Sequence, residues 1–256
     1  AMSHRSGVFE MQNILPPIIK YGLTFLFVQN EFGLCCPVSM TDSLTRTLKK
    51  FGDEKLINKF FDKLTSQDLD ELFQGAMFMT EQHAGSDVGS IDTFAENIDG
   101  QWYLTGDKWF CSNPDADLAM VLARYDKKTK GTKGLSLFLL PKKLENGQHN
   151  NYEIIRLKDK LGGRSFASGE IRLNKAFAYI VGEKTEGFKQ MTDMINMSRL
   201  SNGVRASGMM QRCFQESLFI AKTRSAFNEK LINLPLIRKQ LLKMLIITEA
   251  SRTMVF

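Results

Sequence analysis

The spacing of apolar positions along the chain changes character twice. Up to about residue 75 apolar residues recur at helical intervals, which predicts helices at Lys20–Glu31, Thr41–Phe51, Glu54–Lys63 and Ser66–Phe73. Ser66-Gln67-Asp68-Leu69 offers an N-cap for the last of these. From 76 to about 183 short β-type runs alternate with turn signals. They are Thr93–Ile98, a turn at Asp99-Gly100, Trp102–Leu104, a second turn at Thr105-Gly106-Asp107, and Lys108–Cys111. Leu118–Arg124, Leu135–Leu140, Tyr152–Leu157, Gly169–Leu173 and Ala178–Val181 follow. From 187 the helical period returns in one long run, Phe188–Arg224, whose Gly203 and Gly208 predict close helix packing. After a turn at Asn228–Asn233 a last helix carries an apolar row of Leu234, Ile237, Leu241, Leu245 and Thr248.

This order predicts an α+β protein in three parts. Residues 1–75 form part of an N-terminal helical domain. Residues 76–185 form a central antiparallel β-sandwich or barrel, and 186–256 supply the first two helices of a C-terminal bundle. No Gly, Asn or Pro closes the final helix before Met254-Val255-Phe256, and residue 1 is Ala. Both features predict that the chain is a piece of a longer protein.

Composition narrows the class. With 256 residues, 43% hydrophobic and 24% charged, the chain can build a sizeable core and is not a disordered tail. No apolar run approaches the roughly 20 residues of a membrane span, and no apolar leader follows the N-terminus. Cys35, Cys36, Cys111 and Cys213 lack disulfide or zinc spacing, so no metal site is expected, and a reducing, cytoplasmic setting is. A net charge of +6 suits a phosphate-bearing ligand, but a solvated basic surface explains it as well. The lysine-rich loop Asp126–Gly134 reads as such a surface.

Four segments could carry chemistry. Thr80-Glu81-Gln82-His83-Ala84-Gly85-Ser86-Asp87 leaves an apolar run with two hydroxyls and a glycine, a combination that can hold a phosphate or a ring edge. Gly106-Asp107-Lys108-Trp109-Phe110-Cys111-Ser112-Asn113 sets aromatic rings beside a hydroxyl, as a wall for a flat ring would. Leu161-Gly162-Gly163-Arg164-Ser165 could present Arg164 to an anion, without the GxGxxG or P-loop pattern. Arg199, among small and apolar residues of the long helix, is expected to be partly buried and to seek an anionic partner. Taken singly, each also reads plainly as a capped turn, a core strand, a surface turn or an internal ion pair. His83 shows no Ser/His/Asp arrangement around it, and the methionines of the long helix read as core.

In order and spacing, however, the segments resemble the acyl-CoA dehydrogenase family of flavoproteins. Met79–Asp87 resembles its TE-x-x-(A/G)-GSD signature, and Gly106–Asn113 its G-x-K-W-x-x-(S/T)-N segment. Gly182–Phe188 is similar to the glycine-rich approach to its C-terminal bundle, and Arg224-Ser225-Ala226-Phe227 to its R-x-x-F segment. Leu157–Ser165, Cys35–Met40 and Pro235 resemble the adaptive-response, AidB-like branch. The resemblance implies FAD as cofactor. Met77, Met79 and Thr80 would meet the flavin edge, with Gly85 and Ser86 at a phosphate. Phe110 would stack on the isoalloxazine, and Ser112 would lie near N5. Arg224 and Phe227 would serve a neighbouring subunit's FAD, in a homodimer or homotetramer. Ser86 and Arg199 would contact the substrate, an acyl-CoA or related thioester, and an electron-transfer partner would reoxidise the flavin. The implied reaction is α,β-dehydrogenation with hydride transfer to flavin N5. The alternative is an AidB-like stress protein with largely structural FAD, which would bind DNA through a region beyond this chain. Ser198 stands where some members carry the catalytic glutamate, so no base is identified. Gln82-His83 and Asn228 also depart from the family pattern.

Overall fold

The computed structural model of the protein describes residues 16–256. Residues 1–15 of the predicted N-terminal part, and with them the leader reading, lie outside the described residues. The described chain falls into two compact units. One is Cys36–Ser198; the other joins the segment up to Cys35 with Arg199–Phe256.

Helices α1 (Pro17–Val28), α2 (Cys35–Phe51) and α3 (Glu54–Thr65) come first. Asp53 caps α3, its Oδ1 accepting from the Leu56 amide at 2.8 Å, and Leu56, Phe60 and Leu64 bury one stripe. The helix expected at Ser66–Phe73 does not form. The Ser66 and Asp68 side chains accept from the Asp68 and Asp70 amides, and these local bonds compete with the helical ladder.

Seven strands follow: β1 (Gly75–Phe78), β2 (Phe94–Ile98), β3 (Gln101–Ser112), β4 (Leu118–Arg124), β5 (Leu135–Pro141), β6 (Tyr152–Leu157) and β7 (Ser168–Val181). Strands β2, β3, β7, β5 and β4 pair in a closed ring, so the sheet is a barrel. Most pairs are antiparallel, as expected, but β1 and β2 run parallel to β4. The sequence divides β3 and β7 each in two, whereas the structure carries both through. At the expected Thr105–Asp107 turn β3 runs on, and the bulge is on β7, where the three steps from Ala176 to Leu173 face two from Leu104 to Gly106. Gly106 has φ +147°, and a Cβ there would lie 2.6 Å from Thr93 Oγ1, so only glycine lets the strand continue. In β7 it is Lys175 that takes the positive φ, 51°.

The barrel interior packs small and large residues together, including Ala76, Phe78, Cys111, Val121, Phe138 and Ile171. Its outer face, through Leu118, Met120, Leu122, Leu137 and Leu139, packs on Met40, Leu44 and Leu48 of α2 and on Phe60 of α3. Met191 and Met194, near the start of the long helix α4 (Gly187–Thr223), join this layer as the core reading expects, whereas Met209 and Met210 farther along the helix are exposed against it.

In the second unit α4 continues to Thr223. A two-residue hairpin, β8 (Ser225–Ala226) and β9 (Glu229–Lys230), leads to α5 (Pro235–Val255). Gly208 bears out close packing: a Cβ there would sit 2.5 Å from Val28 of α1. The predicted α5 row faces inward, with Thr248 buried, while Leu236, Leu242, Ile246 and Ile247 are exposed. Among the described residues, no helix is long and apolar enough to cross a membrane.

Candidate functional site

The register of β1 on β3 builds the centre of the site. Met77 lies opposite Ser112, and Phe78 opposite Cys111. Phe78 and Cys111 enter the barrel, so their neighbours Met77 and Ser112 lie on its outer side. A second irregularity, this one with its extra residue in β3, lies between Lys108 and Cys111. Both of those residues are buried although they are three positions apart. The extra residue leaves both Trp109 and Phe110 outside, and Phe110 is 54% exposed. The Trp109 amide donates to Thr80 O at 2.8 Å, which draws the loop after β1 against the bulge. Met77, Met79, Thr80, Phe110 and Ser112 thus come together at one end of the barrel's outer face. Gly85 and Ser86 follow on the exposed loop.

A buried ion pair fixes that loop. Lys108 Nζ donates to Glu81 Oε1 at 2.8 Å and to the carbonyls of Leu122 and Met79 at 2.8 and 3.1 Å. Glu81 also accepts from the Asp92 and Thr93 amides at 2.7 and 3.0 Å. Burial pushes the Glu81 carboxyl up, but the Lys108 ammonium and these hydrogen bonds outweigh it and hold it below its ordinary value. Neither residue was assigned a role from sequence. Each sits in a motif, and only the fold shows that the two motifs are joined through them. On the solvent side of the same loop, His83 Nε2 lies 3.0 Å from Asp92 Oδ2 and 3.9 Å from Glu81 Oε2.

The residues fit a flat, phosphate-bearing cofactor. Among the described residues, the hydroxyls of Thr80, Ser86 and Ser112 have no hydrogen-bond partner, so all three are free for a ligand. Gly85 has no left-handed φ, and a Cβ there would approach nothing nearer than Thr80 Cγ2 at 3.8 Å. Nothing in the fold demands glycine at 85, and the space it leaves open faces the same loop.

Arg224 and Phe227 belong to the second unit. Arg224 is exposed at the end of α4. Phe227 and Asn228 form the hairpin turn with φ of 55° and 61°, the conformation of a type I′ turn, and Phe227 is 90% exposed. Arg199 is exposed, against the expectation of partial burial. The buried arginine of α4 is Arg205, whose Nε donates to Ser201 O at 3.3 Å and whose Nη2 bonds Asn202. A cleft of about 800 Å³ between α3 and the β2–β3 turn lies apart from all these residues. Of its polar groups, Lys59 is spent on Tyr179 and Glu145, and Tyr103 on Gln101.

The pattern of the acyl-CoA dehydrogenase middle domain matches residues 76–176, and that of the acyl-CoA dehydrogenase C-terminal domain matches 185–256. This chain belongs to the acyl-CoA dehydrogenase family. It is 35% identical over 241 residues to acyl-CoA dehydrogenase family member 11 of Caenorhabditis elegans, covering 91% of this chain and 39% of that protein. It is also 35% identical over 261 residues to AidB of Escherichia coli strain K12, an acyl-CoA dehydrogenase homologue, covering 98% and 46%. The crystal structure of C. elegans ACDH-11 in complex with C11-CoA superposes with a TM-score of 0.91 at 32% identity, over 99% of this chain and 45% of that one. The chain therefore spans less than half the length of these relatives. Within the family, this member has Gln82-His83 in its TE–GSD loop and Ser198 ahead of Arg199 on α4.

Proposed function

We propose that the protein containing this chain is an FAD-dependent dehydrogenase of acyl-CoA thioesters, and that this chain supplies the flavin platform. The observation that carries the reading is local. Three unspent hydroxyls, Thr80, Ser86 and Ser112, are carried by the strand of the exposed Phe110 ring and by the loop drawn against it, which Lys108 and Glu81 hold in place. When bound, FAD supplies the hydride acceptor. Phe110 holds the ring system by stacking, and the Thr80 and Ser112 hydroxyls orient its polar edge by donating hydrogen bonds. Ser86 and the space at Gly85 take a phosphate. Met77 and Met79 cover the edge with apolar surface and keep water away from it.

An acyl-CoA substrate is supported by family membership and by the C11-CoA ligand of the C. elegans relative. Arg224 and the strained, outward Phe227 suit a contact with the flavin of a second copy, which makes the working assembly a dimer or a tetramer of such chains. No base is assigned within this chain, since a hydroxyl stands at 198. The electron acceptor is a second protein.

Gel filtration with added FAD, followed at protein and flavin wavelengths, tests the reading. Flavin co-eluting with protein, and lost on Ser112→Ala with Thr80→Ala, supports it. Flavin that elutes free from the full-length protein overturns it.

A further inference from the structure

Behind the two outward rings of the bulge lies a charge cluster without a role so far. Lys158 follows β6, and its amide donates to Ser168 O at 2.7 Å, tying it to the start of β7. Its Nζ lies 3.2 Å from the Trp109 ring centroid and 4.5 Å from that of Phe110, and donates to Glu170 Oε1 at 2.6 Å. Arg156 Nε donates to the same oxygen at 2.9 Å, and its guanidinium lies 5.9 Å from the Trp109 ring. The Lys158 side chain is only 12% exposed. Glu170 is buried, and the Lys158 bond helps hold its carboxyl below the ordinary value.

We propose that Lys158, anchored by Glu170, is a positioning residue that fixes the Trp109–Phe110 wall and, through that wall, biases the site toward reduced flavin. The proposal rests on the flavin reading of Phe110. A cation against the faces of two rings holds them in one orientation, because the ring quadrupoles attract it most strongly there. The bulge leaves Trp109 and Phe110 off the β7 ladder, so their edge-to-face contact with each other, centroids 6.4 Å apart, and their contact with Lys158 set their pose. One carboxylate also serves two cations, so the cluster keeps a net positive charge. Such a charge behind the wall favours the electron-richer state of a cofactor stacked in front of it. An apolar side chain at 158 would fill the space but do neither.

The test uses Lys158→Met and Lys158→Arg, each also made with Trp102→Phe so that Trp109 is the sole indole. In the protein without flavin, Lys158→Met is expected to change Trp109 emission, and Lys158→Arg to leave it close to the parent. In the FAD-loaded protein, Lys158→Met is expected to weaken the preference for reduced over oxidised flavin about tenfold, a fall of about 30 mV in the two-electron midpoint potential. Lys158→Arg is expected to restore it. Unchanged Trp109 emission in Lys158→Met overturns the contact. Changed emission with an unchanged potential reduces Lys158 to packing and overturns the proposal. A parent protein that takes up no flavin removes the site reading and this proposal together, while the emission arm still reports whether the contact exists.

Discussion

Lys108 and Glu81 are the residues on which the loop geometry depends most directly. Lys108 has no exposed surface to speak of, and its three hydrogen bonds all go to protein acceptors. Lys108→Met would leave the Glu81 carboxylate buried without its counter-charge, at a cost of about 3–5 kcal/mol in a urea unfolding series. The double variant Lys108→Met with Glu81→Gln should recover part of that loss. Because Glu81 titrates below its unfolded value in the folded protein, its contribution is present above about pH 4.5 and is lost as pH falls through the folded value. Acid unfolding followed by circular dichroism should show this loss in the parent and a shallower one in Lys108→Met. The cysteines divide just as clearly. Cys111 is buried in the barrel, and burial pushes its thiol up to about 12, whereas Cys213 is exposed. A thiol reagent at pH 8 should give a fast phase that Cys213→Ser removes, and Cys111 should react only on unfolding. Of this scale the sequence shows the motif hydroxyls and Phe110. It does not show that Glu81 and Lys108 meet, or that Arg205 rather than Arg199 is buried, because those outcomes depend on partners far along the chain.

At the scale of elements, the positive φ values mark where local cost was accepted. Gly106→Ala would force a Cβ against Thr93 and should destabilise the protein by about 1–3 kcal/mol by denaturant unfolding. Phe227 is the opposite case, a bulky residue held at φ 55° with its ring in solvent. Phe227→Gly should raise stability by about 1 kcal/mol in thermal unfolding, since glycine meets that conformation without strain. If the ring serves a neighbouring subunit, the same variant should lose FAD more readily in dialysis. Helix α3, the long α4 and the inward row of α5 were readable from period alone. The Ser66–Phe73 helix and the divisions of β3 and β7 were misread for one reason. Turn residues announce a departure from regular geometry, and only neighbouring strands decide whether that departure is a turn or a bulge.

For the whole molecule, the strand-rich centre was legible as a sandwich or barrel, but its closure was not, since closure is a matter of which distant strands pair. That closure has a consequence for length change. In an open sheet, a strand that loses one residue can slide; in a closed ring it cannot, because every partner would have to slide with it. Strand β3 nevertheless holds slack at its bulge between Lys108 and Cys111, where three of its steps face two of β7. Removing Trp109 or Phe110 would heal that bulge into regular alternation and keep Cys111 inside, at the loss of one ring from the wall. Removing a residue from the regular stretch 101–104 would instead turn its neighbours inside out. The reading frame of the barrel is thus forgiving where the candidate flavin surface begins, and this is where natural or engineered deletions in β3 could be accommodated while the fold survives.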